Sequence, residues 1–180
     1  MTGARLLSQR ISEGDGISVI ARVDDLDSAR VAEAGGAEAV AATADIPGLR
    51  DATTLPVLWL GRGGAPHGAD AGVLVVEDAT EDLEGVHATV VGAGLECVVD
   101  VRDEEELELA LERLDPEIFL LSSRDSDDDD GPLDRVLDLL ADVEPGSRYE
   151  VVALERAGVD AVLVTARRVA ELVGATVPDV

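Results

Sequence analysis

The chain has 180 residues, 46% of them apolar and only 2% aromatic; that supports one core of Val, Leu, Ala and Ile, with few flat rings on which bases could stack. Its 39 Asp and Glu face 14 basic residues, all arginine, for a net charge of −25, so nucleic-acid phosphates and anionic membrane surfaces are repelled. The single cysteine, Cys97, excludes an internal disulfide, and its apolar surroundings mark it as a small core residue.

Met1 to Gly16 is polar and mixed in charge. It reads as an N-terminal extension rather than a signal peptide, and no run approaches the roughly 18 apolar residues of a membrane span, so a soluble cytoplasmic protein is expected. From Ile17 onward, short β-branched runs alternate with helical patterns. The strand Ile17–Val23 is followed by a helix over Asp25–Ala34, and Ala37–Ala42 by a helix over Ile46–Ala52. Pro56–Leu60 has no helix after it, because Gly61–Asp70 is too short to hold a normal one. Then come the strand Val73–Glu77, the helix Glu81–Gly92, the strand Leu95–Val101, the helix Asp103–Leu114, the strand Glu117–Ser122 and a helix over Pro132–Val143. Tyr149–Ala157, Asp160–Val164 and Arg167–Val173 complete the chain as helix, strand and helix. Strands that are apolar on both faces and alternate with helices imply parallel βα units.

The boundaries carry their own signals. Gly35-Gly36, Gly92, Gly94 and Gly158 sit where helices end and a left-handed residue is wanted. Asp103-Glu-Glu-Glu106 puts negative charge in a first helical turn, where the dipole favours it. Ser147-Arg-Tyr-Glu150 has the spacing of a capping box, which favours a helix over the alternative of a strand at Tyr149–Leu154. No Ser/Gly linker divides the chain, so residues 1–180 are read as a single βα-barrel domain, with 1–16 as its extension.

Several motifs have a plain reading. Gly61-Arg62-Gly63-Gly64 offers backbone amides to a phosphate, but no helix follows at the right spacing and it reads as a loop. Asp127–Asp130 has hard oxygen ligands at a spacing that matches no ordered calcium loop, and reads as a solvated acidic stretch. His67 and His87 each lack a neighbouring His or Cys, which argues against zinc. No metal site and no cofactor are implied. The acidity without lysine fits a salt-rich cytoplasm, where the Debye length falls to roughly 3 Å at about 1 M salt. A GC-rich genome that favours Ala, Gly, Val, Asp and Arg codons would give the same composition; both stay open.

Ile17-Ser-Val-Ile-Ala-Arg-Val-Asp24 and Pro56-Val-Leu-Trp-Leu-Gly61 resemble the first and third strands of indole-3-glycerol phosphate synthase. So do Gly94-Leu-Glu-Cys-Val-Val-Asp-Val-Arg-Asp-Glu-Glu-Glu-Leu107, Leu121-Ser-Ser-Arg-Asp125 and Leu154-Glu-Arg-Ala-Gly-Val-Asp-Ala-Val-Leu-Val164, in the family's order and spacing. The resemblance runs from Ser8 to Gly174. It implies a (β/α)8 TIM-type barrel of the ribulose-phosphate-binding class, with its active site at the C-terminal strand ends. Here the barrel is expected in reduced form, with about seven parallel strands and outer helices. Where the family has a seventh strand, Val-Ala-Glu-Ser-Gly, only Glu144-Pro145-Gly146 stands, so the seventh strand is expected to be missing, leaving an open edge or a gap that a partner fills.

The family's chemistry is thinned out. Its first strand ends in Glu-x-Lys, matched by Arg22 and Asp24; its third ends in Lys-Asp, matched by Leu60 and Gly61. The Ser-Pro-Ser segment after the first strand gives way to Asp25-Leu26-Asp27. The glutamate of strand five is matched by Asp100. The Asn-x-Arg-Asp of strand six is matched by Ser122-Ser123-Arg124-Asp125. The Gly-Ser amides that hold phosphate after strand eight are matched by Thr165-Ala166. By this resemblance Asp100 and Asp24 are the candidate catalytic carboxylates, and Arg22, Ser122 and Arg124 the candidate substrate-binding residues. Equally, Arg22 could neutralise Asp100 or Asp24 across the barrel, filling space that once held substrate.

Losing a general acid and a phosphate grip should abolish turnover, since each is worth orders of magnitude in rate. The leading expectation is a degenerate family member that has lost the decarboxylative ring closure and acts as a binding or regulatory subunit. Two alternatives stand: an active synthase with rearranged catalytic groups, and a small phosphosugar-binding barrel enzyme of different specificity. A phosphorylated small molecule is the expected ligand, and a homo-oligomer or a pairing with another barrel protein the expected assembly.

Overall fold

The computed structural model describes residues 7–13, 16–61, 64–79, 81–114, 116–121, 148–156 and 159–173. The helix expected over Pro132–Val143, the cap at Ser147 and Gly158 lie outside them. Within them, β1 (Ser18–Arg22), β2 (Ala39–Ala42), β3 (Val57–Trp59), β4 (Ala71–Val75), β5 (Glu96–Val101), β6 (Ile118–Leu121) and β7 (Ala161–Thr165) form one sheet. The order is β6-β5-β4-β3-β2-β1-β7, and every pairing is parallel. The sheet curls into part of a barrel, so the reduced TIM-type fold expected from the chain is the fold it has. Among the described residues β6 and β7 are the two edges, and no strand joins them.

The helices are α1 (Leu7–Glu13), α2 (Leu26–Ala34), α3 (Leu49–Ala52), α4 (Val76–Ala79), α5 (Leu83–Gly92), α6 (Glu104–Arg113), α7 (Arg148–Arg156) and α8 (Val169–Val173), with a 3-10 turn at Ala166–Arg168. Strand alternation divides the core. Ile20, Ala39, Ala41, Leu58, Ala71, Val98 and Leu163 face inward as one cluster. Their alternates face outward and meet the helices in two further clusters. Gly36 and Gly94 take φ of 93° and 80° where α2 and α5 end, the left-handed geometry that glycine adopts without cost.

Three expectations are corrected. The N-terminal extension is partly ordered: α1 closes the N-terminal end of the barrel, and Leu7, 1% exposed, packs with Ile11 into the inner cluster. The strand expected to run to Glu77 ends at Val75, and Val76–Ala79 is helical. The helix expected over Ile46–Ala52 shrinks to the single turn of α3. The helix expected over Tyr149–Ala157 is present as α7, Arg148–Arg156; Ala157 lies outside the described residues.

Two carboxylates brace the N-terminal floor. Glu96, at the start of β5, accepts hydrogen bonds from the Leu7 and Ser8 backbone amides and the Ser8 hydroxyl, and so caps α1. Asp70, just before β4, meets Arg50 of α3 in a bidentate pair at 2.5 and 2.9 Å, and also accepts from the Val57 amide at 2.9 Å. The Asp70 side chain is 8% exposed.

Candidate functional site

Barrel chemistry belongs at the C-terminal ends of the strands, and that mouth is where the expected residues can be placed. Arg22 is the last residue of β1 and shares the inward parity of Ile20. Asp100 shares the inward parity of Val98 on β5 and is 7% exposed. Both thus face the same lumen, half-buried and buried respectively. Asp24 lies beyond the end of β1 and is exposed. Its backbone amide donates to the Ser28 hydroxyl at 3.2 Å, so its neighbourhood is organised by the start of α2 rather than by the lumen. Ser122 and Arg124 lie outside the described residues, as do Arg62 and Asp127–Asp130.

The segment that replaces the family's Ser-Pro-Ser has a local use. Asp25 is the N-cap of α2: its carboxylate accepts from the Ser28 amide at 2.7 Å, while the Ser28 hydroxyl accepts from the Asp25 amide at 3.1 Å. The Ser28 amide, followed by its hydroxyl, holds the Asp25 carboxyl below its usual range, with Arg167 adding to the effect. The capping box and Arg167 therefore place α2 and the turn after β7 side by side at the mouth.

At the end of β3, Leu60 packs against the inner cluster. Gly61 follows because nothing larger fits: a Cβ there would collide with the Trp59 ring and come 2.7 Å from the Thr43 carbonyl oxygen. The positions matched to a catalytic Lys-Asp thus hold a core contact and a close-packed turn. Thr165, paired in register with Arg22, is exposed and starts the 3-10 turn without a side-chain cap.

One mouth feature was not anticipated. Glu77 of α4 forms an ion pair with Arg102, just past β5. Val75 is the last residue of β4 in register with β5, opposite Asp100, and the turn of α4 that begins at Val76 brings Glu77 round to Arg102. Glu106 adds to the same corner by accepting from the Arg102 amide at 2.8 Å, while its own amide donates to the N-cap Asp103 at 2.9 Å. The described mouth therefore gathers Arg22, Arg102 and Arg167 with Asp24, Asp25, Glu77 and Asp100, an almost balanced set in a chain of charge −25. Such a set can orient an anionic or zwitterionic ligand, but the described residues contain no lysine or histidine general acid there.

Among the described residues no group of three His, Cys, Asp or Glu could hold a metal ion, and no helix is long and apolar enough to cross a membrane.

No family model matches the chain. Indole-3-glycerol phosphate synthase of Exiguobacterium sibiricum is 34% identical over 109 residues, which cover 54% of this chain and 42% of that protein. The enzyme of the same name from Clostridium kluyveri is 37% identical over 57 residues, covering 32% of this chain and 21% of that protein. The matched stretches thus span less than half the length of these curated relatives. Among solved structures, (S)-3-O-geranylgeranylglyceryl phosphate synthase from Thermoplasma acidophilum, determined with its substrate sn-glycerol-1-phosphate, matches with a TM-score of 0.50 at 18% identity. The match covers 96% of this chain and 95% of that one, and it establishes a shared fold.

Proposed function

We propose that this chain is a degenerate barrel of the indole-3-glycerol phosphate synthase type that binds a phosphorylated small molecule at its mouth without carrying out the decarboxylative ring closure, and so serves as a binding or regulatory subunit. One observation carries the reading: Leu60, at the position matched to the family's general-acid lysine, is half-buried and packs against the inner cluster, and the chain has no lysine elsewhere to take over the role. Removing a positioned proton donor costs roughly two to four powers of ten in rate. The sequence relatives supply the family name, and the fold neighbour supplies a precedent for a glycerol phosphate in such a barrel.

A second reading, a phosphosugar enzyme of different specificity, draws on Arg22 and Asp100 facing one lumen. A cation for phosphate on β1 and a buried carboxylate on β5, both turned to that lumen, suit proton abstraction as well as binding.

The test is a turnover assay of the purified chain with the carboxyphenylamino-deoxyribulose phosphate substrate, at low and molar salt, paired with calorimetric titration of that substrate and of sn-glycerol-1-phosphate. Binding without formation of indole glycerol phosphate, weakened at least tenfold in Arg22→Ala, is the expected result. Formation of product that disappears in Asp100→Ala would overturn the proposal in favour of chemistry moved onto carboxylates and arginines. A folded sample that binds neither compound would overturn it as well.

A further inference from the structure

Among the described residues the helical layer does not close around the sheet. Its buried side chains form one cluster against β7, β1, β2 and β3 and another against β4, β5 and β6. The seam between them lies over β3 and β4, where Gly61–Asp70 supplies no helix among the described residues. A cavity of 360 Å³ opens there, lined by Trp59, Gly72 and Leu74 on the sheet side and by Val86 and Val90 of α5 on the other. A second groove, of 280 Å³, runs along the opposite flank of α5 beside His87, Val91 and Ile118.

Between these grooves stands a helix with little to hold it. Of the α5 residues only Leu83 is buried, while Val86 and Val91 are 37% and 50% exposed. A surface helix ordinarily turns its apolar side chains inward and its charges outward; α5 presents apolar side chains to solvent on both flanks. It is also neutral. Gly85 to Leu95 contains no Asp, Glu, Lys or Arg in a chain with 29% charged residues, and Glu84 at its start is paired with Arg113.

Charge decides what can cover this face. Two copies of a chain at −25 repel one another wherever their acidic surfaces approach, so a neutral face is where they can meet most readily. A basic partner would be drawn instead to acidic surfaces such as the first turn of α6, Glu104, Glu105 and Glu106. We infer that α5 is the two-fold contact of a homodimer. The two α5 helices run antiparallel across the axis, and each lies in the partner's groove over β3 and β4. Each copy thereby supplies the outer helix that the other lacks, which is the self-complementary arrangement a two-fold interface requires. Ala88 and Gly92 are exposed, and a Cβ built at Gly92 meets nothing within 4 Å, so the backbones can approach closely. The surface is on the outer wall, outside the lumen, although its groove reaches Gly61 and Val75 at the C-terminal ends of β3 and β4, and it does not depend on the ligand reading.

A helix of this length with its groove walls is at the small end of specific interfaces, so association in the micromolar range is expected. The experiment is sedimentation velocity on the full chain from about 1 to about 300 µM, at about 0.15 and about 2 M salt. The expected result is a monomer–dimer equilibrium that tightens with salt as like charges are screened. Val91→Glu and, separately, Ala88→Arg should weaken it at least tenfold while keeping the wild-type circular dichroism spectrum; Leu111→Glu, equally exposed but on α6, should leave it unchanged. A monomer throughout the range at both salts overturns the inference. So does a dimer indifferent to both α5 variants, or one that Leu111→Glu disrupts as strongly.

Discussion

The two ends of the barrel are built to different standards. At the floor, the half-buried carboxylates are well partnered: Glu96 holds the start of α1, and Asp70 takes two bonds from Arg50 and one from Val57. At the mouth, Asp24 is exposed, Asp25 serves a helix cap, and the matched lysine position is a half-buried leucine packed against the inner cluster. In barrels of this kind the floor carries stability and the mouth carries chemistry. In this chain the described floor carboxylates are tied into cross-chain hydrogen bonds and an ion pair, while the described groups of the mouth serve helix caps and local packing.

The sharpest way to break that contrast is to remove one carboxylate from each end. Asp70→Ala strands the Arg50 guanidinium and the Val57 amide, and should lower stability by about 3 kcal/mol, because a largely buried pair is being broken rather than replaced. Asp24→Ala should leave the urea midpoint where it is. If the two variants shift the midpoint equally, the division between floor and mouth fails.

The wall between the ends offers the next test. Burial pushes the Cys97 thiol up to about 11 from its ordinary 9.0, so the fraction present as thiolate near neutral pH is about a hundredfold lower. Alkylation by iodoacetamide at pH 8 should be slower in the native protein by at least that factor and become rapid in urea. Fast labelling without denaturant would mean that the layer over β5 opens readily.

The smallest effect concerns the cap of α2. Because the Asp25 carboxyl is held below its ordinary 3.8, its contribution to stability is fully present above that pH and is lost as pH falls through the folded value. Asp25→Asn keeps a capping side chain but cannot titrate. Its stability should therefore depend less on pH than the wild type's below about 3.8, measured by urea unfolding across the acid range. A parallel pH dependence in both proteins would remove Asp25 from the linkage.

The strands were legible because their β-branched runs are apolar on both faces, and the missing third helix because Gly61–Asp70 is too short to hold one. Other features resisted reading for physical reasons. Leu7 and Ile11 are four residues apart in otherwise polar company, and only the docked α1 shows that they belong to the core. Glu96 looks like a solvent-facing strand residue until the N-terminus folds over it. Asp70 looks like loop punctuation until Arg50 is placed beside it. The end of β4 was read too long because Val75-Val-Glu77 continues the β-branched pattern, and the helical turn that swings Glu77 toward Arg102 has no strong propensity of its own. At the mouth, Arg22 and Asp100 were legible by strand parity, whereas the reason for Gly61 lies in the shape of the Trp59 ring and needed coordinates.

That ring has an optical consequence. Trp59 is the sole tryptophan, it is 9% exposed, and its indole Nε1 is shielded from solvent without a hydrogen-bond partner. The whole intrinsic tryptophan emission of the protein therefore comes from one largely buried site between the seam cavity and the hollow beside Arg50. It should emit well to the blue of free indole in water, and its colour reports the state of this seam rather than an average over the molecule. A red shift that precedes the loss of helical dichroism would show the barrel parting at β3 before it melts.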